Sequence, residues 1–283
     1  MAVANNVSDG QLFAKHAELE SKKALHFSFH IRRLRIQAIH NRTLTPSRFP
    51  SRVLHDMTPI VLNKLNFVSR DLGMDLELLL TFDHPSNTGI YETYYPLAFA
   101  VKKFAAEGIH RAHITYRSQL AFTKVVVSHD IIQSASTEVA VQVGQSTTLT
   151  MNNQIFHFSD PQTDPSVPKK NIQCINNSPS KEDIGVGFIE QEGDVPTSAL
   201  VWHGVEHGQT LNVEFVPRLR GYINACTYRQ NGLIKGPIHS SCLFDQDLST
   251  LDKHTTWVVT YDETARSFRI DEEITSEVQH CFS

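Results

Sequence analysis

The sequence predicts an α+β protein, mainly β, in which N-terminal helices pack on a large antiparallel β-sandwich or barrel. Strand-like alternation of apolar and polar residues runs from residue 109 onward, and helix-like spacing marks two stretches before it. We therefore expect a helix-containing N-terminal region, 1–108, and an antiparallel β-sandwich region, 109–283. The two are expected to form one integrated fold, because a sheet face must be buried against another layer.

The β region is predicted from period-two alternation interrupted by turn residues. In the stretch 199–228, Leu211, Val213 and Phe215 alternate with polar residues, and glycines and a proline punctuate the pattern. Turn residues about every 8 to 12 positions are typical of sandwiches and barrels rather than of βαβ units. Three prolines at 159–171 predict a long surface loop there.

Two helices are predicted before residue 108. Thr58 and Pro59 form a favourable helix start, and Gly73 supplies a C-terminal stop. Apolar residues recur between them at helical spacing: Ile60, Val61, Leu65, Val68 and Leu72. A second short helix is predicted over 95–107, whereas the stretch 8–40 fits a helix or a strand equally well.

Composition predicts a soluble protein of the cytoplasm. Of the 283 residues, 40% are hydrophobic and 20% are charged, which is ordinary for a globular domain. No apolar run reaches the roughly 18 residues that a membrane-spanning helix needs. The first thirty residues lack the apolar core of a secretory signal, and the four cysteines form no C-x-x-C pair.

Charge is distributed unevenly along the chain. The segment 22–55 contains eight Lys or Arg residues and no Asp or Glu, so the rest of the chain has 18 basic against 30 acidic residues. One interpretation is an arm that binds an anionic surface, with Arg32, Arg33 and Arg35 as anion-binding residues. The other is that the arm docks on, or is solvated beside, the chain's own acidic body.

The histidines suggest a weaker alternative, a His-dependent metalloenzyme. His203 and His207 form an H-x-x-x-H pair, but in an extended strand four residues span about 13 Å, which is too far for one ion. Gly204 and Gly208 favour a turn at this position. His110 and His113 complete the candidate metal ligands, although their spacing alone does not indicate a site.

Aromatic residues give a candidate ligand platform. Trp202 adjoins the glycine-containing turn, and Tyr94 and Tyr95 lie in a tyrosine-rich stretch. Together with His203 and His207 they are the predicted ligand-binding residues, with burial at the edge of the core as the alternative. The succession of short strands is loosely similar to fungal-type β-sandwich lectins and cytolysins, a resemblance of architecture alone.

The functional hypothesis is a non-catalytic recognition protein that binds a glycan, a lipid headgroup or a protein partner through loops of the sandwich. The chain contains no G-x-S-x-G elbow, and catalytic residues are not identified. Gly185 and Gly187 do not continue into a dinucleotide fingerprint, so they predict a bulge or a close approach between backbones. No cofactor is predicted, nucleic acid is not expected as a partner, and oligomeric state stays open.

Overall fold

The computed structural model describes residues 60–82, 88–191, 193–223 and 228–273, and these residues are almost entirely β. Strands account for 61% of them and helical turns for 1%. The strands are β1 (Leu62–Arg70), β2 (Leu76–Phe82), β3 (Tyr94–Pro96), β4 (Ala100–Phe104), β5 (Ile109–Arg117), β6 (Leu120–Ser128), β7 (Ile131–Val141), β8 (Gln145–Asn152), β9 (Ile155–Phe158), β10 (Gln162–Thr163), β11 (Asn171–Asn176), β12 (Glu182–Phe188), β13 (Thr197–Val205), β14 (Thr210–Glu214), β15 (Arg218–Ile223), β16 (Cys242–Asp247), β17 (His254–Asp262) and β18 (Ser267–Glu272). One 3₁₀ turn, Leu248–Thr250, follows β16.

The strands form four sheets. Their orders are β18-β17-β1-β5, β16-β15-β2-β4, β3-β13-β12-β6-β7 and β10-β8-β11-β14, with β9 paired to β8. Two pairings are parallel, β1 with β17 and β8 with β11, and the other strand pairings are antiparallel. Strand β1, before residue 108, pairs with β5 and β17 after it. The division of the chain into 1–108 and 109–283 stays a prediction.

The predicted helix over 58–73 is wrong for the part that the structure describes. Strand β1 buries alternate side chains, among them Leu65 and Phe67, while Lys64 and Arg70 face outward. The apolar residues fit period two as well as period 3.6, and pairing on both sides with β5 and β17 decides between them. Tertiary contacts here override local helix propensity.

The predicted helix over 95–107 is also wrong. Its residues form the short strand β3 and then β4, which pairs with β2. Pro96 lacks the N–H that a helix interior requires, and β3 lies at the edge of its sheet, where a proline is tolerated. The prediction of N-terminal helices packed on a sandwich is therefore corrected to an architecture of several sheets. The ambiguous stretch 8–40 lies outside the described residues.

Aromatic side chains join the sheets at the centre of the core. The Phe82 ring lies 5.1 Å from that of Phe99 and 5.5 Å from that of Phe188, both edge to face. Phe244 meets Trp257 edge to face at 4.8 Å, and Trp257 is only 4% exposed, as expected for a core tryptophan. Such pairs add about 0.5–1.5 kcal/mol each beyond the area they bury.

The glycine pair of β12 confirms the prediction of a bulge and a close backbone approach. The pairing of β12 with β13 shifts register between Val186 and Gly187. A Cβ on Gly187 would lie 1.9 Å from the carbonyl oxygen of Thr197, so no other residue fits without moving the backbone. Among the described residues, no helix has the length and apolar character to cross a membrane.

Candidate functional site

The sheet β18-β17-β1-β5 has one buried and one outward face. Leu65 and Phe67 of β1, Ile114 of β5 and Trp257 of β17 point into the core and are at most 5% exposed. Because side chains alternate along a strand, the residues between them form the opposite face. We call the part of that face on β1 and β5 the basic face; it consists of Leu62, Lys64, Asn66, Val68, Arg70, Ile109, Arg111, His113, Thr115 and Arg117.

Strand register fixes the neighbours on the basic face. Lys64 lies opposite Thr115, Asn66 opposite His113 and Val68 opposite Arg111. The Asn66 side-chain oxygen lies 2.7 Å from Nδ1 of His113, which holds the imidazole against β1. Cationic and hydrogen-bonding side chains therefore interleave across two adjacent strands.

The cations of the basic face are not neutralised within the described residues. Lys64, Arg70, Arg111 and Arg117 make no ion pair there. The described residues contain 17 Lys and Arg but 23 Asp and Glu, so a net negative body carries four unpaired positive charges on one face. Clustered charge of one sign attracts a partner of the opposite sign.

A groove of about 270 Å³ crosses the basic face. Asn66, Arg70 and Arg111 line it beside Val68 and Val258, which provide an apolar floor. Acidic residues limit the positive area on the β18 side. Glu273 lines the groove, and Asp271 lies opposite Val258 on the edge strand. The positive potential is therefore concentrated along β1 and β5.

A larger pocket of about 410 Å³, here called the β5 pocket, lies on the other side of β5. His113 lines both the groove and the β5 pocket, and Lys102 of β4 also lines the pocket. Lys102 is half-buried and makes no ion pair within the described chain. The two concavities are thus neighbours that share one imidazole.

The predicted aromatic platform is largely occupied by contacts inside the chain. Tyr94 is 2% exposed and stacks on Trp202, with the rings 5.0 Å apart and 25° from parallel. Tyr95 meets the ring of His203 edge to face at 6.4 Å. Nδ1 of His203 lies 2.8 Å from Oδ1 of Asp183. The structure brings these side chains together, and they mainly contact one another.

The four candidate metal ligands are held by different partners. Nδ1 of His207 lies 2.6 Å from the carbonyl oxygen of Ser178, and Nε2 of His110 lies 2.8 Å from that of Glu107. His113 contacts Asn66, and His203 contacts Asp183. Across the described ranges, no three or more His, Cys, Asp or Glu side chains group as metal ligands.

A buried ion pair joins two adjacent strands of the sheet β3-β13-β12-β6-β7. Nζ of Lys124 on β6 is 3.1 Å from Oε2 of Glu182 on β12, and the two side chains are 14% and 6% exposed. The Ser180 hydroxyl donates to the other carboxylate oxygen at 2.6 Å. The Lys124 ammonium also lies 4.9 Å above the ring of Phe156 on β9. We call this group the internal ion pair.

Asn176 holds the turn that carries these serines. It is fully buried, and its amide donates to the carbonyl oxygens of Ser180 at 3.0 Å and Val205 at 2.7 Å. Its side-chain oxygen accepts from the backbone N–H of Ser178. The Asn176 side chain of the Asn-x-Ser sequence at 176–178 therefore stabilises this turn through buried hydrogen bonds.

Burial raises the pKa of two side chains in the core, a cysteine thiol and a tyrosine hydroxyl. Burial raises the pKa of the Cys174 thiol to about 12. Burial, together with the negative charge of Asp247, raises the pKa of the Tyr116 hydroxyl. Both groups stay protonated at neutral pH and serve the core.

Sequence reasoning missed the basic face because β1 was predicted as a helix. Once β1 and β5 are known to be strands, basic residues at even spacing, 64 with 70 and 111 with 117, indicate one charged face. The predicted anion-binding residues Arg32, Arg33 and Arg35 lie outside the described residues. No family model, curated protein or solved structure matches the chain.

Proposed function

We propose that this protein is a recognition protein that binds an anionic partner through the basic face. The supporting observation is the set of four cations on β1 and β5 without an ion pair inside the described chain. Like charges held together repel one another, and an anionic partner removes that repulsion while gaining several contacts at once. The role is binding rather than catalysis, in keeping with the sequence-based hypothesis.

The proposal includes the basic segment 22–55. Only six residues separate its end from the start of β1, so the two basic regions are neighbours in the chain. Both carry positive charge, and each is proposed to bind an anion by itself. Arg32, Arg33 and Arg35 are the proposed contacts from this segment. The proposed location is the cytoplasm, where the cysteines stay reduced.

The basic face replaces the loops of the sandwich as the proposed binding surface. Trp202 and His203 already contact Tyr94, Tyr95 and Asp183. A neutral glycan would need such aromatic rings open to solvent. Anionic chemistry therefore takes precedence over lectin-like binding of neutral sugars.

Binding to heparin, a general polyanion, across a salt series tests this function. The double variant Lys64→Glu/Arg111→Glu is expected to bind at least about tenfold more weakly, which corresponds to about 1.4 kcal/mol. The matched control is Lys169→Glu/Lys170→Glu, which changes net charge equally at two exposed positions away from the face. Equal losses in both variants would show a net-charge effect and contradict the proposal.

A further inference from the structure

We infer that the anionic partner is a single-stranded nucleic acid whose backbone follows the basic face and whose base enters the β5 pocket. This inference rests on the proposed function, because it requires the basic face to bind an anion. It revises the sequence-based expectation against nucleic acid. The juxtaposition that motivates it is the meeting of a cationic groove and a polar pocket at His113.

The cations of the basic face lie in two groups along the strands, Arg70 near Arg111 and Lys64 near Arg117. Arg111, His113, Thr115 and Arg117 are successive outward residues of β5, and such residues repeat every 6.6–6.8 Å or so along a strand. Lys64 and Arg70 form a second row on β1, about 4.8 Å away. A linear polyanion matches this array, and single strands are bound by positively charged grooves that follow the backbone.

The open sheet face favours a single strand over a duplex or a bilayer. Bases of a duplex are read by a helix or a two-stranded ribbon inserted into a groove. The face itself is formed by side chains of an open sheet. The apolar residues of the groove floor, Val68 and Val258, are half-buried. Leu62 and Ile109 are 39% and 56% exposed, but they lie at opposite ends of the β1–β5 pair and so form no continuous apolar patch of the kind that inserts into a membrane surface.

The β5 pocket has the size and lining for a nucleobase. Its volume of about 410 Å³ falls within the range of small-molecule sites, roughly 300–1,000 Å³. Phe99 and Pro196 contribute apolar surface, while Glu190, Gln230 and Asn231 contribute polar groups. Sequence-specific recognition of single strands uses this combination of apolar contact and hydrogen bonds to base edges.

The polar lining selects a base rather than a phosphate. The side-chain amides of Gln230 and Asn231 make no hydrogen bond to any residue that the structure describes, and side-chain amides pair with the edge of adenine. Glu190 accepts a hydrogen bond from the Thr197 hydroxyl through Oε1 at 3.1 Å. Its carboxylate repels phosphate and accepts from an exocyclic amino group. Adenine carries that group, whereas uracil does not.

His113 lies where the groove meets the β5 pocket, and Lys102 lines the pocket. His113 is exposed on the basic face and lines both spaces, and Lys102 is half-buried at the pocket. A strand whose phosphates contact Arg111 thus brings an adjacent nucleotide past His113 toward Gln230 and Asn231. Phosphate contacts set the position, and the pocket supplies the base preference.

Fluorescence anisotropy with the full chain tests the inference. Labelled oligo(A) and oligo(U) of about 12 nucleotides, within the range of single-strand site sizes, are titrated over a salt series. We expect tighter binding of oligo(A), by tenfold or more. Equal affinity for the two oligonucleotides would overturn the pocket assignment.

Two sets of variants separate the face from the pocket. Lys64→Glu/Arg111→Glu is expected to weaken the binding of oligo(A) and of oligo(U) alike and to reduce the salt dependence of both affinities. Gln230→Ala/Asn231→Gly should abolish the preference for oligo(A), because the affinity for oligo(A) falls toward that for oligo(U); glycine suits the positive φ of 65° at Asn231. Ser134→Trp, which fills the pocket from an exposed position, is the second pocket variant. A preference that survives both pocket variants would contradict the inference.

Further probes distinguish failure of this inference from failure of the proposed function. Binding of heparin through the basic face without binding of RNA would overturn the inference and leave the proposed function standing. Tighter binding to vesicles of anionic phospholipid than to oligo(A) would have the same meaning. Absence of binding to heparin, RNA and vesicles would overturn both.

Discussion

The basic face and the internal ion pair hold positive charge in opposite ways. Lys124 is nearly buried, contacts the carboxylate of Glu182 and lies over the ring of Phe156. Lys64 and Arg111 face outward and have no carboxylate partner within the described residues. A buried charge requires a partner inside the fold, whereas an exposed charge is solvated and remains available to an external one.

The difference separates charge that stabilises the fold from charge that is proposed to bind a partner. Removing one member of the internal ion pair leaves a buried charge without a partner, so stability should fall. Removing a cation of the basic face relieves repulsion, so stability should change little while binding weakens. The comparison therefore predicts that variants of the internal ion pair lose stability, whereas variants of the basic face lose binding and keep their stability.

The largest expected effect is that of Glu182→Ala. It leaves Lys124 buried without its carboxylate, and breaking a buried pair in this way costs about 3–5 kcal/mol. Urea denaturation followed by circular dichroism measures the loss. Glu206→Ala is the matched control, because the Lys181–Glu206 pair is 66% and 57% exposed and such pairs contribute about 0–1 kcal/mol. Similar losses of unfolding free energy in the two variants would contradict the distinction between a buried and an exposed ion pair.

Asn176→Ala is expected to have the next largest effect. The carbonyl oxygens of Ser180 and Val205 lose a buried donor, and an unsatisfied buried group costs about 1–3 kcal/mol. The free energy of unfolding measures this cost. Asn177→Ala is the control at the adjacent exposed position. A loss as large in the control would exclude a special role for the Asn176 amide.

Thiol labelling compares interior and surface directly. Cys174 is fully buried with a pKa raised to about 12, whereas Cys242 is exposed. We expect iodoacetamide at pH 8 to modify Cys242 in the native protein and Cys174 only after unfolding, as read by peptide mass spectrometry. Because the folded pKa is raised from 9.0, the contribution of Cys174 to stability is complete below pH 9 and declines as pH rises toward 12. Rapid native labelling of Cys174 would contradict its burial.

The smallest expected change in stability is that of Arg111→Gln. The side chain is exposed and makes no ion pair within the described residues, so the free energy of unfolding should change by less than about 0.5 kcal/mol. Its affinity for heparin should nevertheless fall. A destabilisation above 1 kcal/mol, about twice that surface limit, would assign Arg111 a structural role instead.

Alternation predicted much of the β architecture from sequence. Leu211 and Val213 are buried in β14, and Phe215 is buried just after it, as their spacing indicated. These buried positions were predictable because a helical pattern cannot compete with period two where glycine and proline interrupt the chain. Trp202 is half-buried and stacks on Tyr94, and its predicted role in ligand binding stays a prediction.

The site could not be predicted because it depends on pairing between distant segments. Leu65 and Val68 fit a helix and a strand equally, and only β5 and β17 decide that Lys64 and Arg70 share an outward face. The β5 pocket likewise collects Lys102, Glu190 and Asn231 from separate parts of the chain. Local periodicity carries no information about such long-range register.

The parallel pairing of β1 with β17 has a consequence for the nascent chain. Lys64 aligns with His254, about 190 residues later, so β1 lacks this neighbour until β17 has been synthesised. Contacts so distant in sequence form late and expose strand edges meanwhile. A ribosome that stops before β17 releases a chain in which β1 keeps one unpaired edge and the groove lacks Val258. Only a chain that extends through β17 presents the complete surface that is proposed to bind an anion.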